Sequence, residues 1–356
     1  MNTIWFVKKK TKLKKIAVLT GGGDCPGLNA AIRGVVRRSL PRGIEVIGLL
    51  DGWEGLLENR TCELNLDSVS GILPVGGTIL RTSRTNVLKD KKTVKKAFEQ
   101  FEKLKLDGLI AIGGEGTLTV SGKLFEQGMP IIGVPKTIDN DIGSTDYTFG
   151  FNTAVEIATQ AIDRLHTTAE SHKRVMVIEL MGRHAGWIAT YAGLAGGADA
   201  ILIPEYSMSV EEVCKLIHQR HKRGKRFSII VVAEGAKIKS SSGERMVAKE
   251  RKDSFGRPQL GGIGQVLADE IESRTGFESR VTVLGHVQRG GTPTAEDRVL
   301  ATRLGVYAAD LAWNQEWGQM AALRGNEVVT VSLKEATAKL KTVDPKMWDL
   351  AQSFFG

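Results

Sequence analysis

The chain has 356 residues, of which 42% are hydrophobic and 25% are charged, and its formal net charge is +9. This composition is typical of a globular protein with one large or two medium domains, and it excludes a collagen-like or a disordered chain. No stretch approaches the roughly 18 uncharged apolar residues that a membrane-spanning helix needs, so we expect no membrane contact.

The excess positive charge is concentrated at the amino terminus. Six lysines and no acidic residue lie within residues 1–15, which leaves a net charge of only +3 for the rest of the chain. A basic tail is usually a solvated arm, and no aromatic RNA-binding signature accompanies this one. We therefore expect no nucleic-acid partner.

The cysteines indicate a reducing environment. Cys25, Cys62 and Cys214 share no CxxC spacing, so they form neither a disulfide framework nor a zinc site. A cytoplasmic location is the expected setting.

Apolar runs rich in β-branched residues alternate with amphipathic stretches in both halves of the chain. The runs cover residues 16–19, 109–112, 175–178 and 229–232, and the first three precede helical patterns at 29–40, 118–127 and 186–194. The alternation predicts βαβ units and mainly parallel sheets. We therefore predict an α/β fold whose two sheets face each other across a cleft.

Two stretches interrupt or end this alternation. Residues 237–261 are rich in Ser, Lys, Arg and Gly and are expected to form an inserted loop, and residues 344–356 are expected to form a closing helix.

The segment Pro135–Asp141, PKTIDND, directly follows an apolar run at 131–134. In an open α/β sheet, ligands lie beyond the carboxyl ends of the strands. Asp139 could accept a proton from a substrate hydroxyl, and Asp141 could bind another hydroxyl or orient the first carboxylate. An Asx-rich turn is the alternative interpretation, and this segment alone does not decide between the two.

Two glycine-rich segments lie between a strand and a helix. GGGDCPGLN at 21–29 lets the backbone approach an anion, although it matches neither the Walker A nor the GxGxxG pattern, and a plain tight turn is the alternative. GGEGT at 113–117 offers Glu115 as a Mg²⁺ ligand and Thr117 as a phosphate contact. Alone, GGEGT is a weak signal.

Cationic residues cluster at other predicted strand ends. MGRHAGW at 181–187 places Arg183 where it could meet an anion, whereas His184 is more simply a structural histidine. GHVQRGG at 285–291 adds His286 and Arg289. Each arginine alone would be read as a surface residue, but together with Arg174, Arg280 and the glycine loops they favour phosphoryl transfer.

These motifs, together with GGTILRTSR at 76–84 and the strand end at Glu234, occur in the order found in phosphofructokinases, which phosphorylate fructose 6-phosphate at its 1-hydroxyl. The chain closely resembles that family from about Lys15 to Arg298. The resemblance implies two Rossmann-like domains with the active site in the cleft between them. Residues 1–149 with about 287–336 would bind the phosphoryl donor, and 150–286 with about 337–356 would bind the sugar phosphate.

The resemblance also implies the roles of individual residues. Asp139 would be the general base, with Thr137 and Asp141 beside it, and Arg183 with Thr137 would stabilise the transferred phosphoryl group. The donor site would comprise Gly23, Trp53 (against adenine), Arg84, Thr85, Glu115 (with Mg²⁺), Gly116, Thr117 and Lys136. The sugar-phosphate pocket would comprise Thr137, Ile138, Asp139, Met181, Gly182, Arg183, Glu234, His286 and Arg289. Arg174 and Arg280 would reach across from a neighbouring subunit of a homo-oligomer, a dimer or more commonly a tetramer.

Three departures from the family pattern bear on regulation and on the donor. Glu115 stands where many members have Asp. Arg33 and Arg37 match effector-site arginines of regulated bacterial members, but His166 stands where those members have Arg, so regulation by ADP or phosphoenolpyruvate stays open. The 237–261 insertion resembles a branch that contains both ATP- and pyrophosphate-dependent enzymes.

The donor prediction depends on two positions. Gly116 favours ATP, because pyrophosphate-using members tend to have Asp there, whereas Lys136 resembles the lysine of the pyrophosphate class. ATP-using members of this branch combine both residues, so we predict an ATP-dependent enzyme of glycolysis, with pyrophosphate dependence as the alternative. A non-catalytic, sugar-phosphate-binding regulatory subunit would be expected to have lost Asp139, Arg183 or the carboxylate at position 115, and all three are present.

Overall fold

The computed structural model describes residues 13–240, 243–245, 248–252 and 258–356. The strands are β1 Lys15–Gly21, β2 Glu45–Leu49, β3 Thr61–Glu63, β4 Gly108–Gly113, β5 Ile131–Pro135, β6 Val175–Leu180, β7 Ala200–Leu202, β8 Met208–Ser209, β9 Ser228–Ala233, β10 Ile238–Ser240, β11 Gly243–Arg245, β12 Ala248–Lys252, β13 Pro258–Leu260, β14 Ser279–Val283, β15 Gln319–Arg324 and β16 Glu327–Ser332. The α-helices are α1 Leu28–Ser39, α2 Trp53–Leu57, α3 Lys91–Lys103, α4 Glu115–Glu126, α5 Phe151–His172, α6 Trp187–Ala195, α7 Val210–Lys222, α8 Ile263–Thr275, α9 Ala295–Asn314, α10 Leu333–Ala336 and α11 Pro345–Gln352. Short 3₁₀ turns cover Leu40–Arg42, Val87–Lys89 and Gly285–Arg289.

The first sheet has seven strands in the order β16-β15-β5-β4-β1-β2-β3. Its five inner strands are parallel, whereas β3 and β16 are antiparallel edge strands. The inner strands β4 and β5 are buried along their whole length, as expected for a parallel sheet covered on both faces. Gly21 lies beside Gly113, and Gly113 lies beside Pro135. This register brings both glycine-rich segments and the PKTIDND segment to one edge of the sheet.

The second sheet has four parallel strands in the order β14-β6-β9-β7. Leu180 is paired with Ala233, and Val283 is paired with Glu179. The segments that follow these strands therefore meet at the carboxyl edge of the second sheet. They carry the predicted residues 181–183, Glu234 and 285–289. The predicted α/β class with two mainly parallel sheets is confirmed.

The chain returns to the first sheet after residue 286, because β15 pairs with β5 and α9 packs against α1. The two helices approach closely where glycines face each other: a Cβ atom at Gly34 would lie 2.8 Å from the carbonyl oxygen of Thr302, and one at Gly305 would collide with the carbonyl of Ala31. Helix α11 then packs against α6 beside the second sheet. The division into domains stays a prediction.

The predicted loop at 237–261 is wrong for the part that the structure describes. β10 pairs with β11 in antiparallel fashion and with β8 in parallel fashion, and β12 pairs with β13. The interpretation as a loop relied on composition and on the lack of a helical period, and neither detects short strands. The basic tail up to residue 12 lies outside the described residues. Within the described ranges, no helix is long and apolar enough to cross a membrane.

A buried carboxylate joins the two halves of the fold. Asp297, in the first turn of α9, accepts hydrogen bonds from Gly150 N at 2.9 Å, Thr153 N at 2.8 Å and Thr153 Oγ1 at 2.5 Å. Gly150 and Thr153 form the start of α5, so the carboxylate satisfies backbone N–H groups that the helix itself leaves without partners. Asp297 thus caps α5 from a helix of the other half.

We expect Asp297→Ala to lower the free energy of unfolding by about 2–4 kcal/mol, because it leaves two buried N–H groups and a hydroxyl without an acceptor. Urea unfolding monitored by circular dichroism measures the change. The matched control is Glu296→Ala, which removes an exposed carboxylate that accepts only from Asn152 Nδ2 and should cost less than about 1 kcal/mol. Equal losses in both variants would contradict the capping role.

Candidate active site

The PKTIDND segment leaves β5 in a tight turn that buried polar groups hold. Thr148 Oγ1 donates to the carbonyl of Thr137 at 2.8 Å, and Thr148 N donates to Asn140 Oδ1 at 3.1 Å. Asn140 has a φ of 51° and is buried, and asparagine tolerates this left-handed conformation better than most residues. Asn140 therefore shapes the turn, which leaves the carboxylates of Asp139 and Asp141 for other roles.

The two glycine loops and α4 pack against each other at the same edge. A Cβ atom at Gly21 or at Gly113 would collide with the side chain of Thr117, which is only 6% exposed. Thr117 thus fills the space between the two loops. Gly116, by contrast, is exposed, and a Cβ atom there would have no atom within 4 Å. The first turn of α4 consequently presents an open surface at position 116.

Two cations converge on the first glycine loop. The side chain of Lys136 is 3% exposed, and its Nζ donates to the carbonyl of Gly23. Arg289 Nη1 donates to the carbonyl of Asp24 at 3.2 Å, and any side chain at Gly23 would collide with that guanidinium group. Burial lowers the pKa of Lys136, with nearby acids opposing the shift. The predicted donor-site lysine and the predicted sugar-pocket arginine therefore lie against the same loop.

Asp139 and Asp141 are half-buried carboxylates whose charges interact. Burial raises the pKa of Asp139, while the positive charges of Arg289, Lys136, His184 and Arg183 oppose the increase. Burial, followed by the charge of Asp139, raises the pKa of Asp141 to about 7. The groups that act electrostatically on Asp139 therefore come from both sheets.

At the carboxyl edge of the second sheet, the segments that follow β6 and β9 cross at close distance. Glu234 N donates to the carbonyl of Leu180 at 2.8 Å, and Gly235 N donates to that of Gly182 at 3.0 Å. A Cβ atom at Gly235 would collide with the carbonyl of Arg183, so only glycine allows this approach. Burial raises the pKa of Glu234, and the charges of Asp139 and Glu179 add to the increase. Glu234 and the segment 181–183 thus line the same side of the cleft.

Glu179 is a buried residue of this region that the sequence analysis missed. Its carboxylate accepts hydrogen bonds from Gly262 N at 3.1 Å and from Gly264 N at 2.8 Å, at the start of α8. A carboxylate stabilises the positive end of a helix. The available signal was a lone acidic residue inside the apolar strand β6.

The remaining predicted donor-site residues lie in and beside the loop at 82–85. Thr82 Oγ1 donates to the carbonyl of Gly22 at 2.6 Å, which places this loop next to the glycine loop. Thr85 Oγ1 donates to Glu54 Oε2 at 3.2 Å, and Arg84 is exposed. Trp53 is 3% exposed and packs in the hydrophobic core of the first half. With so little of its ring exposed, Trp53 could stack on an adenine only if α2 moved, so this contact stays a prediction.

Arg174 and Arg280 lie at the opposite edge of the second sheet. Both pair with Glu278: Arg174 Nε lies 2.9 Å from Glu278 Oε2, and Arg280 Nη2 contacts Glu278 Oε1. They stand at the amino-terminal ends of β6 and β14, whereas the cleft lies beyond the carboxyl ends. A six-residue strand such as β6 separates the two edges by roughly 17 Å. The fold does not bring these two arginines to the cleft of their own subunit.

His166, which stands where regulated members of the family have Arg, forms a hydrogen bond within its own subunit. His166 Nε2 is hydrogen-bonded to the carbonyl oxygen of Gly196 at 2.6 Å. Arg33 and Arg37 lie on α1, where Arg33 is half-buried and Arg37 is exposed.

Comparisons with known proteins identify the family of this chain. A family model for phosphofructokinase matches residues 15–312. The pyrophosphate–fructose 6-phosphate 1-phosphotransferase of Streptomyces coelicolor is 55% identical over 344 residues, covering 96% of this chain and all of the relative. The ATP-dependent 6-phosphofructokinase 2 of the same organism is 52% identical over 342 residues, again covering 96% of this chain and all of the relative. Among solved structures, Pichia pastoris phosphofructokinase in the T-state gives a TM-score of 0.81 at 30% identity, over 97% of this chain and 37% of that one.

One family assignment follows from the fold, from the order of the motifs and from these comparisons. The comparisons do not decide the phosphoryl donor, because the relatives include both pyrophosphate- and ATP-dependent enzymes. The chain belongs to the phosphofructokinase family and is an enzyme that phosphorylates fructose 6-phosphate.

Proposed function

We propose that this enzyme transfers a phosphoryl group from ATP to the 1-hydroxyl of fructose 6-phosphate, with Asp139 as the general base. The observation that carries the proposal is the setting of Asp139, a half-buried carboxylate on which the charges of Arg289, Lys136, His184 and Arg183 act. A carboxylate in this setting is suited to accept a proton, and the cations are suited to balance phosphate charge.

The proposed step conserves atoms and charge. The oxygen of the sugar hydroxyl bonds to the γ-phosphorus as its proton passes to Asp139, and the bond between the γ-phosphorus and the bridging oxygen of ADP breaks. Arg183 and Thr137 stabilise the charge on the transferred group, while Glu234 and Arg289 hold the sugar phosphate. Phosphoryl transfer needs alignment and charge stabilisation more than covalent help from the protein, and this set of residues supplies both.

A magnesium ion fits the donor side of the cleft only together with the donor. Within the described ranges no group of three or more His, Cys, Asp or Glu side chains could hold a metal by itself. Glu115 lies in the first turn of α4, where its Oε1 accepts from Thr119 Oγ1 at 3.2 Å. Mg²⁺ commonly takes one or two carboxylates, with phosphate oxygens and waters completing its shell. Glu115 would hold such an ion, which would neutralise charge on the donor phosphates.

Two observations favour different donors. The open surface at Gly116 leaves room for the α-phosphate and the nucleoside of ATP. Lys136, buried against the glycine loop, resembles the lysine of pyrophosphate-using enzymes, and close relatives carry either name. We favour ATP because pyrophosphate has no α-phosphate or nucleoside that would need the open space at position 116. Pyrophosphate is the second candidate.

The two arginines at the far edge of the second sheet support an oligomer. Arg174 and Arg280 lie toward the amino-terminal edge of the second sheet, away from the cleft, and Glu278 holds them together. We propose that this pair completes the sugar-phosphate pocket of a neighbouring subunit. A homo-oligomer would then be required for full activity.

We expect Asp139→Ala to lower kcat by roughly 10²–10⁴-fold, because the sugar hydroxyl loses its proton acceptor. The KM for fructose 6-phosphate should change by less than about threefold, since the phosphate contacts remain. Steady-state kinetics with both substrates varied gives both quantities. The control is Asp67→Ala, which removes an exposed loop carboxylate and should leave kcat unchanged. A kcat near that of the wild type in Asp139→Ala would remove Asp139 as the base.

A neighbouring cation should shift the pH profile. The wild-type kcat/KM should rise with pH through an apparent pKa above the ordinary value of about 3.9, because Asp139 must be ionised and its folded-state pKa is raised. Lys136→Met removes a positive charge that favours ionisation of Asp139. We therefore expect the acid limb of kcat/KM to move to higher pH, whereas Lys339→Met, which changes an exposed lysine, should not move it. An acid limb that stays in place or moves to lower pH would show that Lys136 does not act on Asp139.

The donor is tested directly by turnover with Mg²⁺-ATP and with pyrophosphate. ATP-dependent turnover is expected, and turnover with pyrophosphate alone would establish the second candidate instead.

In the ATP-using enzyme, Gly116→Asp should lower kcat/KM for ATP at least about tenfold, because a carboxylate about 4 Å from a phosphate charge costs about 4 kcal/mol at an effective dielectric constant of about 20. Gly116→Ala, which adds bulk without charge, should remain within about threefold of the wild type. Unchanged ATP kinetics in Gly116→Asp would refute the argument from position 116.

A further inference from the structure

A strap of eight residues, 337–344, runs from α10 to α11 and crosses between the two halves of the fold. Its central residue, Lys341, holds the loop that continues from PKTIDND. Lys341 N donates to the carbonyl of Asp141 at 2.8 Å. The ammonium group of the same residue donates to the carbonyls of Thr145 at 3.0 Å and Asp146 at 2.5 Å. One residue thus binds the backbone of this loop at three points.

The same strap binds the segment that carries Arg183. The carbonyl of Lys341 accepts from Trp187 Nε1 at 3.1 Å, and Trp187 is the first residue of α6, four positions after Arg183. Glu205 reinforces this side, because its Oε1 accepts from both Gly186 N at 3.0 Å and Val343 N at 2.9 Å. The strap is therefore hydrogen-bonded to both loops that face the reacting groups.

The ammonium group of Lys341 lies between two aromatic rings. Its Nζ is 5.3 Å from the centroid of the Trp187 ring and 5.9 Å from that of Tyr147. Burial lowers the pKa of Lys341 to about 8, with the charges of Asp146 and Asp141 opposing the shift. A partly dehydrated cation that bonds two carbonyls and faces two rings makes stronger contacts than one in water.

We propose that Lys341 is a positioning residue that sets the separation between the Asp139–Asp141 loop and the Arg183 loop. Lys341 contacts neither the substrate nor the reacting atoms in this scheme. The inference rests on the proposed function, in which Asp139 and Arg183 act on the same transferred group. Because a displacement of about 1 Å between reacting groups can cost about 100-fold in rate, loss of this link should appear in kcat before it appears in binding.

The first test is Lys341→Met, which keeps the apolar stem and removes the ammonium group. We expect kcat to fall about 10- to 100-fold, while the KM values for fructose 6-phosphate and for the donor stay within about threefold. Lys341→Arg, which keeps a long side chain with a cation, should recover much of the loss. The matched control is Lys339→Met, which changes an exposed lysine of the same strap and should leave kcat unchanged. A kcat within twofold of the wild type in Lys341→Met would overturn the proposal.

A second variant keeps the proposal testable if Lys341→Met does not fold. Trp187→Phe keeps an aromatic ring but removes the N–H group that donates to the Lys341 carbonyl, so kcat should fall while the KM values hold. If both variants fold, their effects on kcat should be clearly less than additive, because both break one link. Fully additive effects, or a loss confined to thermal stability, would contradict a positioning role.

The outcome for Asp139 separates this inference from the proposed function. If Asp139→Ala retains wild-type turnover, the proposed base is wrong, whatever the strap variants do. If Asp139→Ala loses its turnover and Lys341→Met keeps it, only the positioning role fails.

Discussion

The active cleft depends on one costly arrangement, a half-buried carboxylate that is surrounded by positive charges. Asp139 lies beyond the end of β5, where burial alone would favour its neutral form. The positive charges of Lys136, Arg289, Arg183 and His184 offset that cost and come from both sheets. The sheet register and the close crossing at Gly235 are needed to bring these charges together. The two halves of the fold are therefore linked electrostatically as well as by packing.

The sequence predicted those parts of the site that lie close to a strand end. A residue that follows a parallel strand has its position set by the sheet, so the glycine loops, PKTIDND and MGRHAGW could be read locally. Trp53 shows one limit of such prediction, because the sequence does not tell whether an aromatic residue in a motif packs in the core or faces a ligand. The 237–261 stretch shows a second limit, since its composition conceals short strands, one of which pairs with β8 outside the stretch.

Residues whose partners are remote in the sequence escaped prediction for a physical reason. Asp297 caps a helix that begins 147 residues earlier, and Lys341 bonds to carbonyls almost 200 residues away. No local pattern marks such residues, because a buried carboxylate or ammonium group acquires its role only when folding brings its partner to it. Glu179 is intermediate: an acidic residue inside an apolar strand indicates a buried partner without indicating which one.

Relatives at 55% and 52% identity are named for different donors. Both reactions transfer a phosphoryl group to the same sugar, so the base, its cations and the ties across the cleft would serve either donor. What differs is the group left behind, and only residues beside that group distinguish a nucleotide from phosphate. Position 116 lies on an open surface, where a substitution disturbs no packing. Lys136 lies at the inner end of the same region, against the glycine loop. Under the proposed function, a change of donor would therefore act through these two positions, while the rest of the cleft could stay fixed.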